Sequence, residues 1–254
     1  MSDITPLLLQ GIRAYQELWP RNTQQAIGPS ALGTPCDHCL AAQLAGWEKL
    51  EGFAWLPFIG TSVHQMLASQ WCGFHGDADW LQEYPVTVGV VDGVEVKGSA
   101  DLFHGPTGTV VDFKVVGAST LNEARRHGSK QQYRVQVNLY GKGFRNAGAQ
   151  VNTVILAYLP RNSMRLEDAF FDVKPYDEGV AADALVRANQ LAAALRTYAR
   201  VSVRARDVFI DSLPRAAGCY DCARYPSLVQ RPSELAMFAT THTDRRVGSH
   251  ERSR

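Results

Sequence analysis

Hydrophobic and polar positions change their period several times along the chain. In "GTSVHQMLASQWC" (60–72), Val63, Met66, Leu67 and Trp71 recur at helical spacing and predict one buried helix face. "YPVTVGVV" (84–91) then alternates residue by residue. Asp92-Gly93 marks a tight hairpin, and "VEVKGSADLFH" (94–104) carries the strand pattern on. "GPTG" makes the next turn and "TVVDFKVV" (109–116) is a third strand. Residues 119–146 read as helix with a break at Gly128, "VNTVILAYL" (151–159) as a fourth strand and "LEDAFFDV" (166–173) as a fifth. Over 176–205 a long helix keeps Val180, Ala184, Leu185, Ala188, Ala192, Leu195 and Tyr198 on one stripe. Upstream, a short helix is expected around Leu7–Leu18 and another over residues 39–50, either side of the turn-rich "GPSALGTPCDHC" (28–39). From about residue 228 the chain is polar and basic, and a disordered tail is expected. The order of helix, three meandering strands, helix, strand and more helix predicts an α/β core with a central mixed sheet flanked by helices.

Composition changes this picture little. The 254 residues suit one large domain or a domain with an accessory lobe. With 45% hydrophobic and 20% charged residues, a sizeable core is available. A net charge of +1 argues neither for nor against nucleic acid, so only local clusters can. The N-terminal "MSDITPLLLQ" lacks the basic and apolar regions of a signal peptide, and no run reaches membrane-span length. A cytoplasmic protein is expected, in which the five cysteines would not form structural disulfides. No G-x-x-x-x-G-K-[ST] loop is present, which excludes a built-in ATPase motor of that type.

The chemistry starts from the second and third strands. If "GPTG" is a four-residue loop, His104 faces Thr109 and Asp101 falls opposite Asp112. Opposed side chains lie about 5 Å apart at Cβ, where like charges are destabilising. The same register puts Lys114 on the Asp112 face, opposite Ser99, and turns Phe113 into the packed side. Two carboxylates and a lysine on one face suit a hard divalent cation, Mg²⁺ or Mn²⁺, held by oxygen ligands. Such an ion activates water and stabilises charge on a phosphoryl oxygen, and a neighbouring lysine adds to that stabilisation. The plainer reading is two exposed strand-end aspartates with Lys114 as a surface partner. These residues alone leave both open.

His64 on its helix, Gly98–Asp101 at a strand end, Asp112–Lys114 on the next strand and Gln136 with Tyr140 on the following helix resemble, in order, the motifs of RecB-family nucleases of the PD-(D/E)XK superfamily. Each motif alone is weak; four in order, on helix, strand, strand and helix, form a specific pattern over roughly residues 60–145. The resemblance implies a restriction-endonuclease-like core. It implies that His64, Asp101, Asp112 and the Phe113 carbonyl bind Mg²⁺ or Mn²⁺. Lys114 would be catalytic together with the two aspartates, and Gln136 and Tyr140 would support the site and touch DNA. Gln136 and Tyr140, at i and i+4, share a helix face that Gln132 extends. The implied activity is a metal-dependent DNA exonuclease acting on single strands or DNA ends, in phage or bacterial recombination, replication or repair. Glu83, just before the first expected strand, could also lie near the site, though no residue pattern gives it a role.

Cys36-x-x-Cys39 and Cys219-x-x-Cys222 bracket this core. Each pair has chelating spacing, and four thiolates suffice for a closed Zn²⁺ site or an iron–sulfur cluster. The gap between the pairs is far too long for a zinc ribbon, so a shared site would clamp the two chain ends together. Cysteines on both sides of the core resemble the CRISPR-associated RecB-like exonucleases and the AddB nuclease, which implies a [4Fe–4S] cluster. Those families place one cysteine before the core and three after it. The two-and-two arrangement here keeps structural Zn²⁺ open. "PSALGTPCDHCLAAQLAG" also resembles RecB-like exonucleases of actinobacterial phages, in which only the first cysteine is usual, so Cys39 could be incidental. Reduced cysteines without metal are the third alternative. Cys72, beside Trp71, reads as core.

Arg125, Arg126, Lys130 and Arg134, followed by Lys142 and Arg145, share their stretch with one acid, Glu123. Such a cluster suits contacts to backbone phosphates, so DNA is the expected partner and no membrane is. Other recombination or CRISPR-adaptation-like proteins are further candidate partners. The arginines between Arg187 and Arg224 are interspersed with Asp207, Asp211 and Asp221 and read as a solvated face. Residues 1–227 are expected to form one nuclease domain, its core over about 60–175, with segments 28–50 and 205–227 making a cysteine-bearing lobe. Two rival functions share the core. One is a DNA-binding or assembly subunit with little or no activity, against which the complete set of catalytic residue types argues. The other is a restriction-type endonuclease, against which the histidine helix and the Q-x-x-x-Y helix argue.

Overall fold

The computed structural model describes residues 4–17, 27–50, 55–75 and 78–228; the expected tail lies outside the described residues from 229 on. Four helices come first: α1 (Thr5–Glu17), α2 (Pro29–Leu32), α3 (Asp37–Leu44) and α4 (Trp55–His75). A meander of β1 (Trp80–Val91), β2 (Val94–His104) and β3 (Thr109–Val116) follows. Then come α5 (Ala118–His127), α6 (Gln131–Asn146), β4 (Thr153–Pro160), β5 (Phe170–Pro175), α7 (Glu178–Val201) and α8 (Val203–Ser212). The strands form one sheet in the order β1-β2-β3-β4-β5. Of these neighbours, β3 and β4 run parallel and the rest antiparallel, and α5 and α6 make the crossover between β3 and β4. This is the expected α/β architecture with a mixed sheet.

Local departures from the sequence reading have local causes. The helix expected over 39–50 begins at Asp37 and ends at Leu44, because the chain turns through Gly46 at φ 72° and Trp47 N–H returns to the Ala42 carbonyl at 2.9 Å. "LED" is a 3₁₀ turn, and the fifth strand starts only at Phe170. The long helix over 176–205 is interrupted at Ser202, whose extended backbone ends α7 and whose hydroxyl caps α8 by accepting Ala205 N–H at 2.9 Å. Met66 is exposed, whereas Val63, Leu67 and Trp71 of the same expected face are half-buried. Tyr198 is exposed too, and stacks on Phe209 of α8 with ring centroids 4.5 Å apart.

Two helices sandwich the sheet at the place where function was expected. On one side α6 packs Phe144 flat on Phe103, 4.2 Å between centroids. On the other, α4 sets Leu67 and Trp71 against Leu102, Phe113 and Trp80. α2 packs against α6 and also touches β2 and α7. A Cβ at Gly98 of β2 would come within 2.8 Å of Pro29 and 2.9 Å of the Tyr140 ring. A Cβ at Gly33 would come within 2.4 Å of the Gln132 carbonyl oxygen. Only glycine permits approaches this close.

The segments around α3 and α8 pack on each other through Cys36, Cys39, Ala41, Ala42, Trp47, Leu195, Ile210 and Tyr225. Leu50 N–H donates to the Arg224 carbonyl at 2.8 Å and His38 N–H to the Pro214 carbonyl at 3.3 Å, stitching the N-terminal segment to the C-terminal one. Trp47 Nε1 donates to buried Asp207 at 3.0 Å. Trp47→Phe keeps most of the apolar ring but deletes this charge-assisted bond. It is expected to cost about 1.5–3 kcal/mol, read as a lower urea midpoint at unchanged m-value.

Candidate active site and cysteine centre

β2 and β3 are paired over Leu102–Val111, Phe103–Val110 and His104–Thr109, in the register the four-residue turn dictates. The ladder stops there, and the strands part just before Asp101 and Asp112 would pair. Asp101 fills the opening with its side chain: Oδ2 accepts Phe113 N–H at 2.6 Å. The N–H and C=O of a strand residue project to the same side, so the Phe113 carbonyl lies on this opened edge as well. His64 reaches in from α4, its Nδ1 3.3 Å from the same Asp101 oxygen and its ring edge-on to Phe113.

Lys114 holds the other flank. Its Nζ lies 2.7 Å from Asp112 Oδ2, donates to Gln136 Oε1 at 2.9 Å and sits 4.7 Å from the Tyr133 ring centroid. Gln136 Nε2 in turn donates to the Tyr140 hydroxyl at 3.2 Å. Thus α6 supplies a chain of polar groups ending at the lysine, and the i, i+4 spacing of Gln136 and Tyr140 serves that chain. Ser99 does not face Lys114 as the register suggested. It donates to Glu83 Oε2 at 2.7 Å, and Glu83 lies inside β1 rather than before it.

Burial sets the electrostatics. Asp112 is 1% exposed and Asp101 4%. Desolvation pushes Asp112 up to about 6; Lys114 opposes the rise and the Asp101 charge adds to it. Burial disfavours charge on His64, but the Asp101 hydrogen bond and the charges of Asp101 and Asp112 outweigh it, and its pKa is raised. His64 Nδ1 and Asp112 Oδ2 are both buried, and each meets one charged partner, Asp101 Oδ2 at 3.3 Å and Lys114 Nζ at 2.7 Å, in a geometry too poorly aligned to satisfy it fully. Two carboxylates, an imidazole and a free-edge carbonyl are donors of the kind a divalent cation takes, although His64, Asp101 and Asp112 are not drawn as tightly together as the cysteines, whose ligand atoms all lie within 4.8 Å of one another.

The four paired cysteines come together. Among the described residues they form one group in which every Sγ lies within 4.8 Å of every other, and all are free thiols. Cys36 and Cys222 are 3.5 Å apart, Cys39 and Cys222 3.6 Å, and Cys39 and Cys219 3.7 Å. Cys39 therefore stands with the other three. Burial pushes the Cys39 and Cys222 thiols up, Cys222 to about 11, while backbone hydrogen bonds from Ala216 and Cys39 help bring Cys36 down against its own burial. His38, inside the C-x-H-C stretch, carries no role in the sequence reading. It is fully buried, with Nδ1 3.8 Å from Cys39 Sγ and Nε2 3.7 Å from Asp211, and burial lowers its pKa. Cys72 is half-buried and apart from the group, its thiol 3.4 Å from the Trp80 carbonyl.

Arg125, Arg126, Lys130 and Arg134 are exposed around the α5–α6 junction, and Arg125 also donates to the Asp168 carbonyl. Lys142 and Arg145 are drawn away to Glu178, at 2.6 and 3.6 Å. Farther on, Arg187, Arg196, Arg206, Arg215 and Arg224 pair with Asp37, Asp92, Asp207, Asp211 and Asp221.

The alkaline exonuclease LHK-Exo from Laribacter hongkongensis superposes with a TM-score of 0.51 at 13% identity, over 73% of this chain and 95% of that one. The chain has the fold of an alkaline exonuclease. LHK-Exo in complex with dAMP superposes over the same shares, with a TM-score of 0.50 and 14% identity. A phage-related exonuclease from Haemophilus somnus 129PT gives a TM-score of 0.44 at 10% identity, over 63% of this chain and 80% of that one. No protein-family model matches the sequence, and no curated protein matches it at a significant level.

Proposed function

We propose that this chain is a Mg²⁺- or Mn²⁺-dependent deoxyribonuclease with a restriction-endonuclease-like PD-(D/E)XK core, working as an exonuclease on single strands or DNA ends. The observation that carries this reading is the gathering of His64 on Asp101 and of Lys114 on Asp112 where β2 and β3 part, with both carboxylates buried. His64, both aspartates and the Phe113 carbonyl would hold the cation. When bound there, the ion supplies Lewis acidity, acidifying water and screening charge on a phosphoryl oxygen. Lys114, aimed by Gln136 and Tyr140, presents its ammonium beside Asp112, where it can orient water and stabilise the charge that builds up on the phosphodiester. LHK-Exo, which shares the fold, is known in complex with dAMP; release of deoxynucleoside monophosphates by this chain would have the same product chemistry. A role in phage or bacterial DNA recombination, replication or repair belongs to this proposal.

Incubating the purified protein with labelled single- and double-stranded oligonucleotides, with Mg²⁺, Mn²⁺ or EDTA, tests the reading. Stepwise shortening that EDTA stops is expected. Cleavage untouched by EDTA, or none under any condition, overturns it. Arg125, Arg126, Lys130 and Arg134 are proposed to bind DNA phosphates. Replacing all four with alanine is expected to weaken binding on every sequence alike, and to flatten the salt dependence by about 0.7–0.9 for each phosphate no longer neutralised. Filter binding at several salt concentrations reads both.

For the cysteine centre, we propose a single structural ion. Four thiolates around one Zn²⁺ at about 2.3 Å lie about 3.8 Å from one another, close to the 3.5–3.7 Å of the Cys36–Cys222, Cys39–Cys222 and Cys39–Cys219 pairs, with every Sγ within 4.8 Å of the rest. A [4Fe–4S] cubane seats each thiolate on a separate iron and needs the sulfurs spread wider.

A further inference from the structure

We infer that Glu83 is a positioning residue of the catalytic centre, acting through Ser99 on Asp101; this rests on the nuclease reading above. Glu83 carries φ 43°, a left-handed backbone that a residue with a Cβ adopts at a cost. It lies in the interior of β1, between the pairs Gln82–Leu102 and Tyr84–Ala100, so the register sets it directly across from Asp101.

The two strands change faces together at this point. On β1, Trp80 meets Trp71, and Gln82 accepts Cys72 N–H at 2.8 Å, so both look toward α4. Tyr84 stacks on Phe144, and Val86 and Val88 lie against Gly143, so these look toward α6. Regular alternation would put residues 82, 84 and 86 on one side. On β2, Gly98 meets Tyr140 of α6, while Leu102 packs in the α4 layer. The phase is inverted at Glu83 on one strand and at Asp101 on the other. The inversion lets β1 anchor α4, which brings His64, and α6, which brings Gln136, from opposite sides of one sheet.

Glycine would adopt this backbone without strain, so the conformation by itself does not require a glutamate. The side chain has its own use. It accepts the Ser99 hydroxyl at 2.7 Å, two residues before Asp101 on the same strand. That bond adds a side-chain tie to the β1–β2 ladder, which continues on both sides of Asp101, at the place where β2 has parted from β3. The pair then fixes the direction of a carboxylate that must serve both Phe113 N–H and His64.

The test compares Glu83→Gly, Glu83→Gln and Ser99→Ala with the full-length protein. Mn²⁺ affinity is followed by electron paramagnetic resonance, alongside DNA cleavage and thermal melting. Glu83→Gly is expected to melt at the same temperature or higher, because strain is relieved. It is expected to bind Mn²⁺ and cleave at least about tenfold more weakly, as for loss of a group that orients a metal ligand. Ser99→Ala is expected to match it in binding and cleavage. Glu83→Gln, which keeps an acceptor, is expected to stay near wild type. Undiminished Mn²⁺ affinity and cleavage in Glu83→Gly overturn the inference and leave the nuclease reading standing. A Gln variant as weak as the Gly variant overturns the hydrogen-bond route. Wild-type protein that binds Mn²⁺ but cleaves no DNA overturns the nuclease reading alone; the Mn²⁺ affinities still decide the role of Glu83. Wild-type protein that binds no Mn²⁺ overturns both.

Discussion

Asp112→Asn is expected to lower cleavage by at least about 10²–10³-fold and yet to raise the stability of the metal-free protein at neutral pH. The two effects have one cause. Asp112 is buried almost completely, and burial outweighs the help of Lys114 and pushes its carboxyl up to about 6. An ionised group held there costs folding free energy when no cation balances it. Asparagine keeps the shape and removes the charge, and Lys114, 13% exposed, is not stranded because it keeps Gln136 Oε1 and the Tyr133 ring as partners. Lys114→Ala should match the loss of activity with the opposite effect on stability. It leaves the Asp112 carboxylate without the ammonium 2.7 Å away, and breaking such a pair costs about 3–5 kcal/mol where it is buried. Cleavage of a labelled oligonucleotide and urea unfolding in EDTA, run on both variants, read the two quantities. Full activity in either variant removes the assignment of these residues. A destabilised Asp112→Asn would mean that the carboxylate serves the fold.

The cysteine centre carries the second large effect. Metal analysis is expected to find about one zinc per chain in a colourless protein. Removing the metal should lower the melting temperature by about 10 °C or more, since structural zinc contributes its binding energy directly to folding. Cys36→Ser and Cys222→Ser should each lose the metal and melt early. Cys72→Ser, outside the group, should do neither. A brown protein with about four irons per chain would replace zinc by a cluster. Metal-free protein whose stability is indifferent to Cys36→Ser would remove the centre altogether.

The elements were legible where one local signal dominated. Asp92 and Gly93, both at positive φ, form the turn that the Asp-Gly pair announced, and the four-residue "GPTG" turn fixed the register of β2 on β3. Gly128 splits α5 from α6 as its place in the pattern suggested. The geometry of the site was harder to read. The sequence put Asp101 and Asp112 face to face, but no residue pattern encodes that the strands separate there and that Asp101 turns its side chain to Phe113 N–H. The departure of Glu83 from the strand pattern is a backbone property, and glutamate has no preference that marks it. His38 was invisible for a different reason: a histidine beside two cysteines reads as a ligand or as nothing, and here it packs behind Cys39 against Asp211 and Trp47. The break at Ser202 does have a signal in the sequence, a serine three residues before Ala205 in position to cap a new helix, but the unbroken apolar stripe of α7 masks it.

α2 gives the molecule a mechanical link between its two centres. It is only four residues long, yet Pro29 and the Tyr140 ring close on Gly98 from α2 and α6, and Gly33, just past the end of α2, rests on the Gln132 backbone. Three residues after Gly33 the chain delivers Cys36 to the thiol group. The contacts that join α2 to Gly98, Tyr140 and Gln132 therefore continue directly along the chain into the cysteine group. Damage to the thiols by oxidation or by a competing soft metal is therefore expected to disturb the α2–α6 contact, and with it the setting of Gln136 and Lys114, before the sheet itself gives way.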